Sequence, residues 1–194
     1  MKDSLDPRIK PLERENYLSK SSPDQLHTYE VFVQPKEGKP YEHVGIVHAA
    51  DLEMAFVFAK ELFSRRNSCV GMWVVKTSDV WVTEYTEGED NIFSHFEKNV
   101  DGGEIEYEVF LLPKRGKQHR HVSRVKTKSP DAAIGLLYHK DSSLKGYNVW
   151  VCESEKFFKS NQEIKQIWDT LPDKGFRDAL AYKAGDKLKN FLKK

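Results

Sequence analysis

YEVFVQPKEGKPYEHV, residues 29–44, is written a second time as YEVFLLPKRGKQHRHV, residues 107–122. At a constant offset of 78, ten of the sixteen positions are identical: Tyr29/Tyr107, Glu30/Glu108, Val31/Val109, Phe32/Phe110, Pro35/Pro113, Lys36/Lys114, Gly38/Gly116, Lys39/Lys117, His43/His121 and Val44/Val122. The echo continues more faintly. An apolar helical stretch (52–63, then 132–138) is followed by a Trp-centred apolar run, MWVV around Trp73 and VWVC around Trp150, offset by 77 because one residue has been lost. Repetition on this scale decides the architecture, because each unit has a face that it buries only against a neighbour.

At 194 residues the chain has room for one large or two small domains. A unit of about 75 residues alone buries roughly 60 % of its unfolded surface and the whole chain about 70 %, which favours two units sharing one core. Lys plus Arg (31) nearly balances Asp plus Glu (30), for a net charge of +1. No global field therefore points to nucleic acid or to a membrane surface. No apolar run reaches the roughly 20 residues of a membrane span, and MKDSLDPRIKPLEREN at the start lacks the apolar core of a secretory signal. The expected location is the cytoplasm, with Cys69 and Cys152, which show no metal-type spacing, as buried small hydrophobes.

Residues 1–26 are polar, carry Pro7, Pro11 and Pro23, and show neither structural period, so a flexible arm is expected. The first repeat, 27–85, opens with alternating runs at 29–33 and 43–47 joined by PKEGKPYE, a hairpin with a long basic tip. Asp51 is a helix N-cap, and Leu52, Ala55, Phe56, Ala59, Leu62 and Phe63 form an amphipathic stripe. Met54 and Val57 fall outside that stripe, among Glu53, Lys60 and Glu61, as candidates for partner contact. Arg65, Arg66 and Asn67 end the helix; residues 71–75 make an apolar strand and 80–82 add another. Residues 86–105, with EGEDN and DGGE, read as an acidic linker.

The second repeat, 106–154, runs the same programme, with strands at 107–112, 121–125 and 147–151. Its helix has a strong start at Ser129, Pro130 and Asp131 but is expected to be short. A C-terminal helical extension, 160–194, follows: Ser160 and Glu163 have capping-box spacing, and Ile164, Ile167, Trp168 and Leu171 share one face. Phe176, Leu180, Leu188, Phe191 and Leu192 suggest a last helix, with seven basic and two acidic side chains between Lys174 and Lys194. Such a helix packs on its own domain or lies on a membrane or an acidic partner. The fold class is α+β: two β-β-α-β repeats related by a pseudo-twofold axis, forming an antiparallel sheet with helices on one face, plus the C-terminal helices. Pairing the copies buries an edge of each small layer.

The chain lacks the signatures of a reactive centre. It has no GxGxxG, no GxxxxGK[ST] and no GxSxG, and none of its seven histidines follows a Glu by three positions as carboxylate-bridged di-iron sites require. His119-x-His121 on a strand would turn both imidazoles to one side, where they could bind one metal. No third ligand is placed, however, and Tyr41 stands in the first copy where His119 stands in the second. A basic hairpin tip beside aromatics also suits RNA, against which the acidic linker and near-zero net charge speak. Read from the residues alone, this is an α+β binding module with no catalytic residue, metal or cofactor.

YEVFVQPK (29–36), followed by HVGIVHAADLEMAFVFAKELFSRRN (43–67) and VGMWVV (70–75), resembles the PaaB family, a component of the bacterial phenylacetyl-CoA epoxidase, which is a multicomponent oxygenase. The second copy is similar through its basic hairpin and histidine pair, but has KTKSPDAAIGLL (126–137) in place of HAADLEMAFVFA (48–59). The resemblance implies a non-catalytic subunit that associates with the catalytic, iron-bearing subunit and its structural partner, without nucleic acid or membrane. Family members usually carry one copy, so the fusion would mimic a dimer of single-copy subunits. Its docking face would combine Met54, Arg65, Arg66 and Asn67 of the first unit with Lys114, Arg115, His119 and His121 of the second. The cations at 65 and 66 also suit a plain helix C-terminus. Further homo-oligomerisation stays open, and the alternative class is a stand-alone binding module for a small ligand or nucleic acid.

Overall fold

Alternation along the repeated stretch builds two hairpins. The computed structural model describes residues 26–64, 69–87, 90–97 and 102–161, with 189, 191 and 192. The first half runs β1 (His27–Gln34), β2 (Glu42–Ala49), α1 (Leu52–Phe63), β3 (Gly71–Lys76) and a two-residue β4 (Trp81–Val82). After a 3-10 turn at Ile92–His95, the second runs β5 (Ile105–Leu112), β6 (Arg120–Thr127), α2 (Pro130–Lys140), β7 (Asn148–Glu153) and a two-residue β8 (Phe158–Lys159). These strands form one sheet in the order β4-β7-β5-β6-β2-β1-β3-β8, antiparallel at every pairing. Among the described residues no helix is long and apolar enough to cross a membrane.

Both hairpin tips close in the same way. Lys39 N–H donates to the Lys36 carbonyl and Lys117 N–H to the Lys114 carbonyl, each at 3.1 Å, around Gly38 (φ 74°) and Gly116 (φ 75°). That left-handed position is why glycine recurs at the same place in both copies. The helix starts also match: Asp51 Oδ1 accepts from Met54 N–H at 2.8 Å and Ser129 Oγ from Ala132 N–H at 3.2 Å.

Strand alternation sends Tyr29, Val31 and Val33 of β1 beneath α1, where Ala55, Phe56 and Ala59 meet them, and Tyr107, Val109 and Leu111 of β5 beneath α2 with Ala133, Ile134 and Leu137. The opposite face carries Phe32, Trp73 and Val75 against Phe110, Cys152 and Phe157, one cluster drawn from both halves. Strands β2 and β6 meet between the halves at a single ladder position, Glu42↔Arg120, flanked by His43 N–H to the His119 carbonyl (2.9 Å) and His121 N–H to the Tyr41 carbonyl (2.8 Å). The two short strands cross over reciprocally: β4 pairs with β7 (Trp81↔Val151, Val82↔Trp150) and β8 with β3 (Trp73↔Lys159, Val74↔Phe158). At the 77-residue offset these registers are the same.

Several expectations are corrected. The second helix is not short, at 11 residues against 12 for α1; its Ser-Pro start offsets its weaker apolar stripe. Leu62 does not join the core and is 57 % exposed. Phe63 takes the place over Gly45 instead, its ring 3.2 Å from where a Cβ there would sit. The segment read as an acidic linker buries Ile92 and Phe93 in the second core, with Phe93 stacked 5.3 Å from Tyr138 of α2. Ser160 accepts from Met72 N–H at 3.0 Å through Oγ, which extends the β8–β3 pairing; the capping-box partner Glu163 lies outside the described residues. The arm at 1–25, Arg65, Arg66 and Asn67, and nearly all of the C-terminal extension (162–188, 190, 193 and 194) lie outside the described residues.

Candidate functional site

A glutamate alternating with Phe on a half-buried strand needs a partner, because a carboxylate taken from water is costly unless hydrogen-bonded. The repeat supplies one in each half. Glu30 on β1 meets His43 Nε2 on β2 at 2.7 Å and accepts from Thr77 Oγ1 at 3.0 Å. Glu108 on β5 meets His121 Nε2 on β6 at 2.7 Å and accepts from Ser154 Oγ at 2.9 Å. Thr77 and Ser154 stand at the 77-residue offset, just beyond β3 and β7.

The second carboxylate carries more. Arg124 reaches Glu108 Oε1 at 2.8 Å and Lys159 reaches the same oxygen at 2.6 Å, with the Glu108 side chain wholly buried. Burial alone would raise its pKa, but the donors from His121, Lys159, Arg124 and Ser154 outweigh that and hold it well below the ordinary range. At the matching positions the first half has Ile46 and Val82, and Glu30 receives neither cation. Lys159 also bridges the halves: paired by β8 to Trp73 of β3, its Nζ lies 4.6 Å from that ring's centroid.

Aromatic rings fill the space between the two pairs. Phe32 and Phe110 approach to 4.1 Å between centroids, His43 meets Trp150 at 4.9 Å and Trp73 meets His121 at 5.2 Å, each across the junction. Within the halves Tyr41 stacks on Trp73 at 4.0 Å and His119 on Trp150 at 4.1 Å. A compensated exchange sits behind these stacks. Tyr41 fits only over Gly71, where an added Cβ would come within 2.3 Å of its hydroxyl. His119, being smaller, leaves room for Asn148 at the equivalent place, and its Nε2 lies 2.7 Å from Asn148 Oδ1.

The Asn148 amide nitrogen donates to the Thr83 carbonyl at 2.6 Å, so its oxygen faces His119, and the network assigns the imidazole proton to Nε2. Burial pushes the His119 pKa down to about 4, with the Asn148 hydrogen bond opposing and His43 adding to the fall. The ring is neutral at neutral pH. Cys69 and Cys152 are buried and unpaired, their thiols pushed up to about 11 and about 12 by burial. Neither is a nucleophile near neutrality.

The polar groups at the junction satisfy one another, and this arrangement orients and fastens the halves. His119 and His121 share a face, as their spacing predicts, but each spends Nε2 on a different acceptor, Asn148 and Glu108. Among the described residues no group of three metal-binding side chains assembles. Of the residues singled out as a docking face, Met54 lies exposed on α1, on the helix side of the sheet, and Lys114 and Arg115 are exposed at the second hairpin tip. Arg115 donates to the Thr86 carbonyl at 3.0 Å and sits over Tyr147. His119 is 5 % exposed and His121 half-buried, both on the sheet face opposite α1, so these five are not gathered into one patch. Sequence reasoning missed Glu30 and Glu108, whose signal was recurrence itself, each a repeated identity 13 residues before a repeated histidine.

The family model for phenylacetic acid degradation B matches residues 25–100, which span the first half from β1 to beyond β4. Over 72 residues the chain is 40 % identical to the B component of 1,2-phenylacetyl-CoA epoxidase from Escherichia coli (strain K12), covering 37 % of this chain and 75 % of that protein. No solved structure is matched.

Proposed function

The chain belongs to the PaaB family, phenylacetic acid degradation B, and from that premise we propose that it is a non-catalytic subunit of a multicomponent phenylacetyl-CoA epoxidase. It acts in phenylacetate degradation through contacts with the catalytic di-iron subunit and its structural partner, and leaves oxygen chemistry to them. The observation that carries this reading is the 40 % identity to the B component of the epoxidase, reaching over three quarters of that protein. The mutual satisfaction of the junction's glutamates and histidines supports a scaffold over a reactive centre.

In this reading the two β-β-α-β units are repeats related by a pseudo-twofold axis, and the fused chain stands where two single-copy subunits would pair. Equal registers of the reciprocal strands, duplicated Glu–His pairs and the Tyr41/Gly71 and His119/Asn148 exchange support it. Docking involves Met54, Arg65, Arg66 and Asn67 of the first unit and Lys114 and Arg115 of the second, with His119 and His121 holding the base of that hairpin from within.

The test is co-expression with the catalytic and structural subunits, with a tag on this chain. Wild type should recover both, and Arg65→Glu with Arg66→Glu should abolish the recovery. Unchanged recovery discards those residues as a docking face. Recovery of nucleic acid instead, with steep salt dependence, discards the function.

A further inference from the structure

Helix α1 carries a second apolar stripe that points away from its own core. Met54, Val57, Phe58 and Leu62 are 43, 51, 43 and 57 % exposed, and they fall at i, i+3, i+4 and i+8, one face of a helix. Beside Phe58 and Leu62 an open groove of about 530 Å³ runs to Ile46, Val47 and His48 of β2. Strand β2 pairs with β6 only at Glu42, so the groove follows the stretch of β2 that has parted from its neighbour.

The second half shows that the scaffold does not need these residues. Counted from the matching N-caps, Asp51 and Ser129, the four positions on α2 are Ala132, Gly135, Leu136 and Lys140. None of them is an exposed large hydrophobic residue, yet α2 forms and covers its core in the same way. An apolar face kept by one copy and lost by the other is a feature of contact with something else. Four side chains make only part of the roughly 800 Å² that each side of a stable interface buries. The occupant therefore also covers the polar rim, which on α1 carries Asp51, Glu53 and Glu61 against Lys60.

We propose that Met54, Val57, Phe58 and Leu62, with the groove along β2, seat an amphipathic helix of the partner subunit whose apolar face is flanked by Lys or Arg, and that each chain offers one such seat. An exposed apolar stripe at helical spacing is what the ridges of another helix fill, and basic flanks complement the acidic rim. This rests on the reading that the chain is an oxygenase subunit, and it adds where the partner sits and how many are held. Two single-copy subunits would offer two seats; the fused chain offers one, because α2 lacks the stripe.

The experiment measures binding of the purified catalytic and structural subunits to the full chain by sedimentation velocity. Val57→Lys with Leu62→Lys changes two solvent-facing positions to a good helix former, so the melting temperature should hold while affinity falls at least ten-fold. Wild type should bind one partner assembly per chain. Undiminished binding by V57K/L62K, or two assemblies per chain, overturns the seat and leaves the subunit role standing. Failure of wild type to bind at all overturns that role and the seat with it.

Discussion

Replacing Glu108 with Gln keeps the shape of a buried side chain and removes the one negative charge that Arg124, Lys159 and His121 converge on. An amide nitrogen at Oε1 would face the Arg124 and Lys159 donors, and one at Oε2 would leave both cations only a neutral carbonyl. Removing one partner of a buried pair costs about 3–5 kcal/mol. The lower end applies, because the Arg124 and Lys159 side chains are 48 and 25 % exposed and recover some hydration. Glu30→Gln is the internal control: among the described residues that carboxylate's side-chain hydrogen bonds are to His43 and Thr77, and losing hydrogen bonds of this kind costs about 1 kcal/mol. For a chain of this size 1 kcal/mol moves the midpoint by roughly 2–4 °C. Thermal unfolding at pH 7.5, followed by near-ultraviolet circular dichroism of the tryptophans, should drop by about 6–12 °C for E108Q and about 2–4 °C for E30Q. Equal shifts, or an E108Q shift under about 2 °C, would refute the view that the second carboxylate fastens the junction.

Two further outcomes follow from the same contacts. Gly71→Ala drives a methyl to within 2.3 Å of the Tyr41 hydroxyl and pushes that ring off Trp73, so chemical denaturation should show a loss of about 1–3 kcal/mol. Stability should also fall with acid. With His119 held at about 4 against 6.5, the unfolded chain takes the proton first, so its contribution is complete above pH 6.5 and lost as pH falls through 4. The gap of about 2.5 units (6.5 − 4) caps this loss at about 3 kcal/mol, and Glu108, depressed from 4.5, adds in the same direction below that pH. Urea midpoints of H119Y/N148G, which installs the first half's Tyr and Gly, should be flatter than wild type between pH 6.5 and 4.5; an unchanged slope would place the titration elsewhere.

The hairpins, both helices and the pairing of the units into one antiparallel sheet were legible, because alternation, turn glycines and N-caps are local signals and the duplication doubled each of them. The strand at 80–82 was legible too, but its pairing with β7 was not, and Phe158–Lys159 went unread: two residues are too short to show a period, and the partners lie in the opposite half. Ile92 and Phe93 were hidden in an acidic, glycine-bearing setting that suggests solvent. The Glu–His pairs escaped notice for a different reason: a glutamate on a strand is ordinarily a solvent-facing residue, and only the cross-strand register turns Glu30 and Glu108 inward against histidine. For the docking face, residue type identified cations and an exposed Met54, but which side of the sheet each occupies depends on tertiary alternation around the bulges at Val31/Phe32 and Val109/Phe110.

Oxygen uptake driven by phenylacetyl-CoA is the most direct measurement of the function argued for this chain. Purified catalytic and structural subunits, supplied with reductant, would be assayed with this chain, without it, and with the chain alone. Turnover should rise when the chain is added and be absent from the chain by itself. Uptake by the isolated chain, or a rate indifferent to its addition, would contradict the assignment of a non-catalytic oxygenase subunit.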